Sequence, residues 1–276
     1  MQPHKLDCQF ALAYHHRDEE SGEAFMSSIA ISSVVFVLVF GGALLGILLR
    51  AALPEHYLNA DSKEVVKLGM ALVSTMAALV LGLLIASAKS SLDAQNAGLM
   101  DSSAKVVLLD RVLAHYGPET KETREVLRDS VVRVLDQTWP KNAANPPKLS
   151  EPSTGSEVLS DKILELSPKD ESQRLLKAQA LSIVWGLGQT RWSQYAQQSN
   201  SVSMPLLITL VFWLTVIFVS FGLYAPRNPA VVACMFVSAA SVSGAILMIL
   251  EMYRPYAGLM PLSSAPLRAA LMQLGK

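Results

Sequence analysis

Four stretches of this chain contain no Asp, Glu, Lys or Arg: residues 29–49, 68–88, 204–225 and 228–250. The shortest is 21 residues long. A helix rises ~1.5 Å per residue, so about 20 apolar residues cross the ~30 Å hydrocarbon core of a bilayer. Each stretch meets that length, and no alternating strand pattern competes with them. The predicted fold class is all-α, a polytopic membrane protein with four transmembrane helices and a helical cytoplasmic insert between the second and third. Composition agrees once it is divided. The four stretches make 87 residues, and the remaining 189 hold all 46 charged residues. Outside the stretches the charged share is thus close to the ~25% of ordinary soluble chains. A simple soluble globule, a disordered tail protein and a basic nucleic-acid binder are excluded.

The first stretch is too long for the ~7–15-residue core of a signal peptide. Its upstream flank is acidic (Asp18, Glu19, Glu20, Glu23) rather than basic. It reads as an uncleaved span. Residues 1–25 are expected to be a poorly ordered tail or an upstream extension. The two cysteines, Cys8 and Cys234, lie in the tail and in a span, and form neither a disulfide framework nor a metal pair.

An even number of spans puts both termini and the long loop on one face. That face carries 19 Lys and Arg against 4 on the other. Within about 20 residues of the spans, where the bias is properly counted, the numbers are 6 against 4. Both termini are expected in the cytoplasm. The divisions are a tail (1–25), the first two spans (26–88), the cytoplasmic insert (89–203), the last two spans (204–250) and a cytoplasmic tail (251–276).

The second helix should outrun its span. Asp61 and Glu64 resemble a capping box, and no strong breaker follows until Gly117-Pro118. Pro118 suits the first turn of a new helix. Leu127, Val131, Val134, Leu135 and Thr138 then share one face, up to Trp139-Pro140. Residues 140–157, with four prolines, read as a flexible surface loop. A further helix is expected from Ser167-Pro168, with Ser167 as its N-cap, running through Leu175, Leu176, Gln179, Trp185 and Trp192. The tail ends in Leu267, Ala270, Leu271 and Leu274 at helical spacing, a short amphipathic helix that must dock on something.

Enzyme signatures are absent from the sequence. None of the five histidines pairs with Glu at zinc-protease spacing, His15-His16 reads as a chance pair, and no phosphate loop or nucleophile elbow occurs. No catalysis, metal or cofactor is expected. The span interiors also lack titratable groups, which argues against proton relays and voltage sensing but not against a passive pore gated by an apolar constriction.

Small residues are the informative feature within the spans. Ser74, Ala78, Gly82, Ala86 and Ser90 recur every four residues along the second helix, and Gly42 and Gly46 form a GxxxG in the first. Residues 238–245 of the fourth span are almost all small. The main reading is close helix packing, within or between subunits; the sharper one puts Ser74, Ala78, Gly82 and Ala86 on a pore. Glu251 and Arg254, at i and i+3 before Pro255, read as an ion pair at the membrane boundary, with an ion or ligand gate as the functional alternative.

The run Asn59-Ala60-Asp61-Ser62-Lys63-Glu64-Val65-Val66-Lys67-Leu68-Gly69, followed by Ala77-Ala78-Leu79-Val80-Leu81-Gly82-Leu83, resembles the bacterial bestrophin-like membrane proteins. So do the Ala225-Pro226-Arg227-Asn228 turn, the Glu251 to Pro255 step and Ser263-Ser264-Ala265-Pro266-Leu267-Arg268. The resemblance spans residues 27–276. By layout it implies a pentameric anion channel with a pore lined by the second helix and a vestibule built by the insert. Two departures stand out: the second span has no aromatic residue for a neck, and no acidic cluster for calcium follows the fourth span. The expectation is a homo-oligomeric channel of the bacterial inner membrane. Its partners are lipid, its own copies and small ions, with no nucleic acid. The rival is a non-conducting scaffold or signalling protein that binds a partner through its cytoplasmic helices.

Overall fold

The structure, a computed structural model, describes residues 28–52, 60–140, 153–198, 203–226, 228–256 and 259–275. Among these, all regular structure is helical: α1 (Ser28–Ala52), α2 (Ala60–Tyr116), a single 3-10 turn (Pro118–Thr120), α3 (Lys121–Thr138), α4 (Ser153–Leu164), α5 (Glu171–Gln198), α6 (Met204–Tyr224), α7 (Pro229–Met252) and α8 (Ala265–Gln273). Four of them, α1, α2, α6 and α7, are long and apolar enough to cross a membrane. The all-α, four-span architecture expected from the charge-free stretches is the one found. The chain divides into two compact units, residues 1–82 with 205–250 and residues 83–204 with 251–276, and α2 contributes to both.

In the first unit, packing follows the small residues. A Cβ on Gly42 would lie 3.1 Å from Thr215 Cγ2, and one on Gly46 would meet the carbonyl oxygen of Val219. The GxxxG of α1 is therefore where α6 approaches backbone to backbone, with Gly222 as its counterpart. With no hydrophobic drive between helices in lipid, such close contact supplies the association energy. Against α7, α1 uses hydroxyls and rings. Ser32 Oγ donates to the Ser243 carbonyl at 2.8 Å, and Ser243 Oγ to the Ser32 carbonyl at 2.6 Å. Phe236 meets Phe36 and Phe40 edge-on, with centroids 5.3 and 5.4 Å away. At the end of α1 the Arg50 guanidinium donates to the Ala225 carbonyl, a cation where the dipole of α6 is negative.

The second unit has a conventional water-soluble type of core. α2 supplies Leu99, Val106, Leu109 and Leu113, α3 supplies Leu127, Val131 and Leu135, and α4 and α5 supply Ile163 and Val184. α8 completes it with Leu267, Ala270 and Leu274, so the amphipathic tail helix docks on the helices of this unit. α2 breaks where Gly117-Pro118 predicted. Gly117 sits at φ 137°, a conformation side-chain-bearing residues rarely adopt. The fully buried Thr120 hydroxyl then lies 2.6 Å from the Leu113 carbonyl and 2.8 Å from that of Gly117, covering groups left open by the helix end.

One buried ion pair binds this unit together. Arg124 on α3 grips Asp110 on α2 with two parallel bonds, Nε–Oδ1 at 2.7 Å and Nη2–Oδ2 at 2.9 Å. Asp110 is 1% exposed, and its Oδ2 also accepts the Gly275 N–H at 3.2 Å. These bonds raise the Arg124 guanidinium above its ordinary range. The pairs Lys162–Glu122 (3.0 Å) and Lys169–Glu119 (2.5 Å) are solvent-exposed by comparison and contribute little.

Two local expectations change. The segment read as loop through residue 157 is helical from Ser153, while residues 141–152 lie outside the described residues. α5 starts at Glu171 with Asp170, not Ser167, as its cap: Asp170 Oδ1 accepts the Gln173 N–H at 2.7 Å, and Gln173 Oε1 accepts the Lys169 N–H at 2.8 Å. A carboxylate is the stronger acceptor beside a helix N-terminus, and Gln173 closes the box. Trp185 and Trp192 are 64% and 54% exposed, because the buried face of α5 runs through Ala180, Ile183 and Val184.

Candidate functional site

The small-residue ridge of α2 is open. Ala77, Leu84 and Ala88 hold the buried side of this helix, so Ala78, Gly82 and Ala86 point away from it and are exposed, with Ser74 half-buried beside them. A Cβ on Gly82 would meet no atom within 4 Å. Unlike Gly46, then, Gly82 is not small because another part of this chain presses on it. The α2 span is also the barest of the four, with 11% of its most apolar window buried against 28–33% in the others. Leu72, Met76, Leu79 and Leu83 form a second exposed ridge next to the small one.

Glu251 and Arg254 end α7 in a compact turn. The Arg254 N–H donates to the Glu251 carbonyl at 2.9 Å, and the Glu251 carboxylate, 4% exposed, accepts the Leu259 N–H at 2.6 Å. The Leu262 N–H closes on the Pro255 carbonyl at 2.6 Å. Trp139 Nε1 then holds the Leu262 carbonyl at 2.8 Å, and its ring stands edge-on to Tyr256 at 5.6 Å. Glu251 thus anchors the segment leading to α8. Glu251→Ala should cost ~1–3 kcal/mol of stability by stranding a backbone donor, whereas Glu251→Gln, which keeps an acceptor oxygen, should cost less. Thermal unfolding of the solubilised protein checks the order, and equal losses for both variants would contradict the anchoring role.

A cavity of about 360 Å³ lies within the second unit, between α2, α3, α4, α5 and the segment at Tyr256 and Leu267. Its walls are mostly apolar, with Leu99, Val106, Leu127, Val131 and Val184 among them. Polar side chains also line it, Arg133, Thr138, Arg191 and Gln194 among them. Sequence reading missed this site entirely, and the segment around Ser156 that it set aside as a loop forms part of the wall. Among the described residues no three His, Cys, Asp or Glu side chains gather as a metal site, and the His15-His16 pair lies outside the described residues.

No curated protein and no solved structure matches the chain. A family model, the bestrophin-like domain, matches residues 36–267. It takes in most of the first span, the other three spans, the second unit's helices and the start of α8, and on that match the chain belongs to the bestrophin-like family of integral membrane proteins.

Proposed function

We propose that this protein is a homo-oligomeric ion channel of the bacterial inner membrane, a pentamer with α2 around the central path and both termini in the cytoplasm. The observation that carries the reading is the open ridge Ser74, Ala78, Gly82 and Ala86 on the least-covered span. Lipid alone does not call for small residues, whereas a path for small ions or a neighbouring α2 does. Without titratable groups on the ridge, conduction rests on hydroxyls, backbone and apolar gating. Anions are the ions expected from the family resemblance. The protein acts without catalysis.

Purified protein in liposomes should pass chloride, and Ser74→Phe should reduce that flux toward background while leaving assembly unchanged by size-exclusion chromatography. Correctly assembled wild-type protein that passes no ion under any tested gating condition would overturn the reading. The second reading, a non-conducting scaffold, is favoured by the exposed Trp185 and Trp192, the latter packed edge-on to the half-buried Tyr195 with centroids 5.9 Å apart. It would be supported by a partner that is lost when residues 105–200 are deleted.

A further inference from the structure

The cavity in the second unit combines two properties that a simple packing void does not have. Its walls are mostly apolar, and three of the side chains that line it hold a buried polar atom without a partner among the described residues: Thr138 Oγ1, Arg191 Nε and Gln194 Nε2. An unpartnered buried polar atom ordinarily costs ~1–3 kcal/mol, more for a charged group. Of the three side chains, Arg191 carries a charge.

The lining is cationic, through the exposed Arg133 and the less exposed Arg191. No carboxylate of the chain forms an ion pair with Arg191 among the described residues: Asp101, near the same stretch of α5, is held by Lys105 at 2.8 Å and by Thr190 Oγ1 at 3.3 Å. Burial pushes the guanidinium below its ordinary range, and the nearby Tyr256 phenol, itself pushed up by burial, stays neutral and does not balance it. A half-buried cation next to an apolar volume is matched by an anion with an apolar body. The fork of Arg selects planar carboxylate geometry. The volume, about 360 Å³, is at the small end of ligand pockets, which run ~300–1,000 Å³.

We propose that this cavity binds an amphipathic monocarboxylate, its carboxylate held by the Arg191 guanidinium and its acyl chain lying against Leu99, Val131 and Val184. The assignment does not depend on conduction. The ligand can come from the bilayer as a free fatty acid or from the cytoplasm as a soluble carboxylate.

The full chain in phosphatidylcholine nanodiscs, titrated with carboxyl-13C decanoate and read against empty nanodiscs, tests it. Saturable binding with a perturbed carboxyl signal is expected for the protein discs, and decanol should compete poorly. Arg191→Met should weaken binding roughly tenfold to a hundredfold, the value of a charged hydrogen bond. In ligand-free discs that same variant should unfold at a higher temperature than the wild type, because it removes an uncompensated charge. An Arg191 that merely stabilised the fold would give the opposite shift. Val131→Trp, which fills the cavity, should abolish binding without touching the polar groups. Benzoate in place of decanoate separates the sources: binding as tight as decanoate indicates a compact cytoplasmic carboxylate, and weaker binding indicates an acyl chain. No saturable signal, equal binding of decanol, or a destabilised Arg191→Met would each overturn the proposal.

Discussion

Gly46→Val should abolish the folded, monodisperse protein. A Cβ at Gly46 meets the Val219 carbonyl oxygen and lies 2.9 Å from the Leu223 nitrogen and 3.0 Å from Gly222 Cα. All three atoms are backbone, so no rotamer change relieves the clash, and α1 and α6 must separate. Overpacking a well-packed core costs ~1–3 kcal/mol where side chains can give, and the cost should be larger here. Gly222→Val, which meets the Ala43 carbonyl oxygen and lies 2.9 Å from the Ile47 nitrogen, should fail in the same way. Gly41→Ala is the control: nothing lies within 4 Å of its added Cβ, and it should gain the ~0.5–1 kcal/mol of helix propensity. Size-exclusion profiles and helix content during detergent unfolding read all three. A Gly46→Val protein as stable as the wild type would show that α1 and α6 do not cross here.

The second large effect is expected at Asp110. Asp110→Ala leaves Arg124 without its carboxylate and the Gly275 N–H without its acceptor. Breaking one side of a buried pair costs ~3–5 kcal/mol, because the remaining charge is left uncompensated. The second unit should therefore lose its cooperative melt, and α8 should detach with it. Asp110→Leu combined with Arg124→Leu should recover much of the loss, since well-packed apolar replacements of buried pairs are often neutral. A double-mutant cycle decides the matter: a coupling below about 1 kcal/mol would place this pair with ordinary surface pairs.

Much of the fold was legible because its signals are local. Length without charge marks the spans, Gly117-Pro118 marks the end of α2, and the spacing from Leu127 to Thr138 marks the buried side of α3. α4 was hidden because its buried face rests on Leu159 and Ile163 just after a Pro- and Ser-rich run, too short a stripe to outweigh the turn signals. The cap of α5 moved because Ser167 and Asp170 both suit a helix start, and the neighbouring Gln173 decides between them. The small-residue runs showed close approach without naming a partner: Gly42 and Gly46 find α6, while Gly82 finds nothing among the described residues. The cavity was invisible in sequence because its walls come from five helices, α2, α3, α4, α5 and α8, and from Tyr256 before α8. Arg191 and Gln194, read along α5 alone, look like ordinary solvent-facing side chains.

The reciprocal serine clasp between α1 and α7 has a consequence for the order of synthesis. Ser32 and Ser243 are 211 residues apart. The first span to enter the bilayer must therefore wait for the last before its buried hydroxyl and the rings of Phe36 and Phe40 find their places. α1 and α6 can meet earlier across their glycines, but the bundle closes only once α7 has left the ribosome. A chain stopped before Pro229 would carry an unanswered polar group on α1 in the membrane. That exposed group would mark an unfinished chain as unfinished, since the matching serine lies on α7.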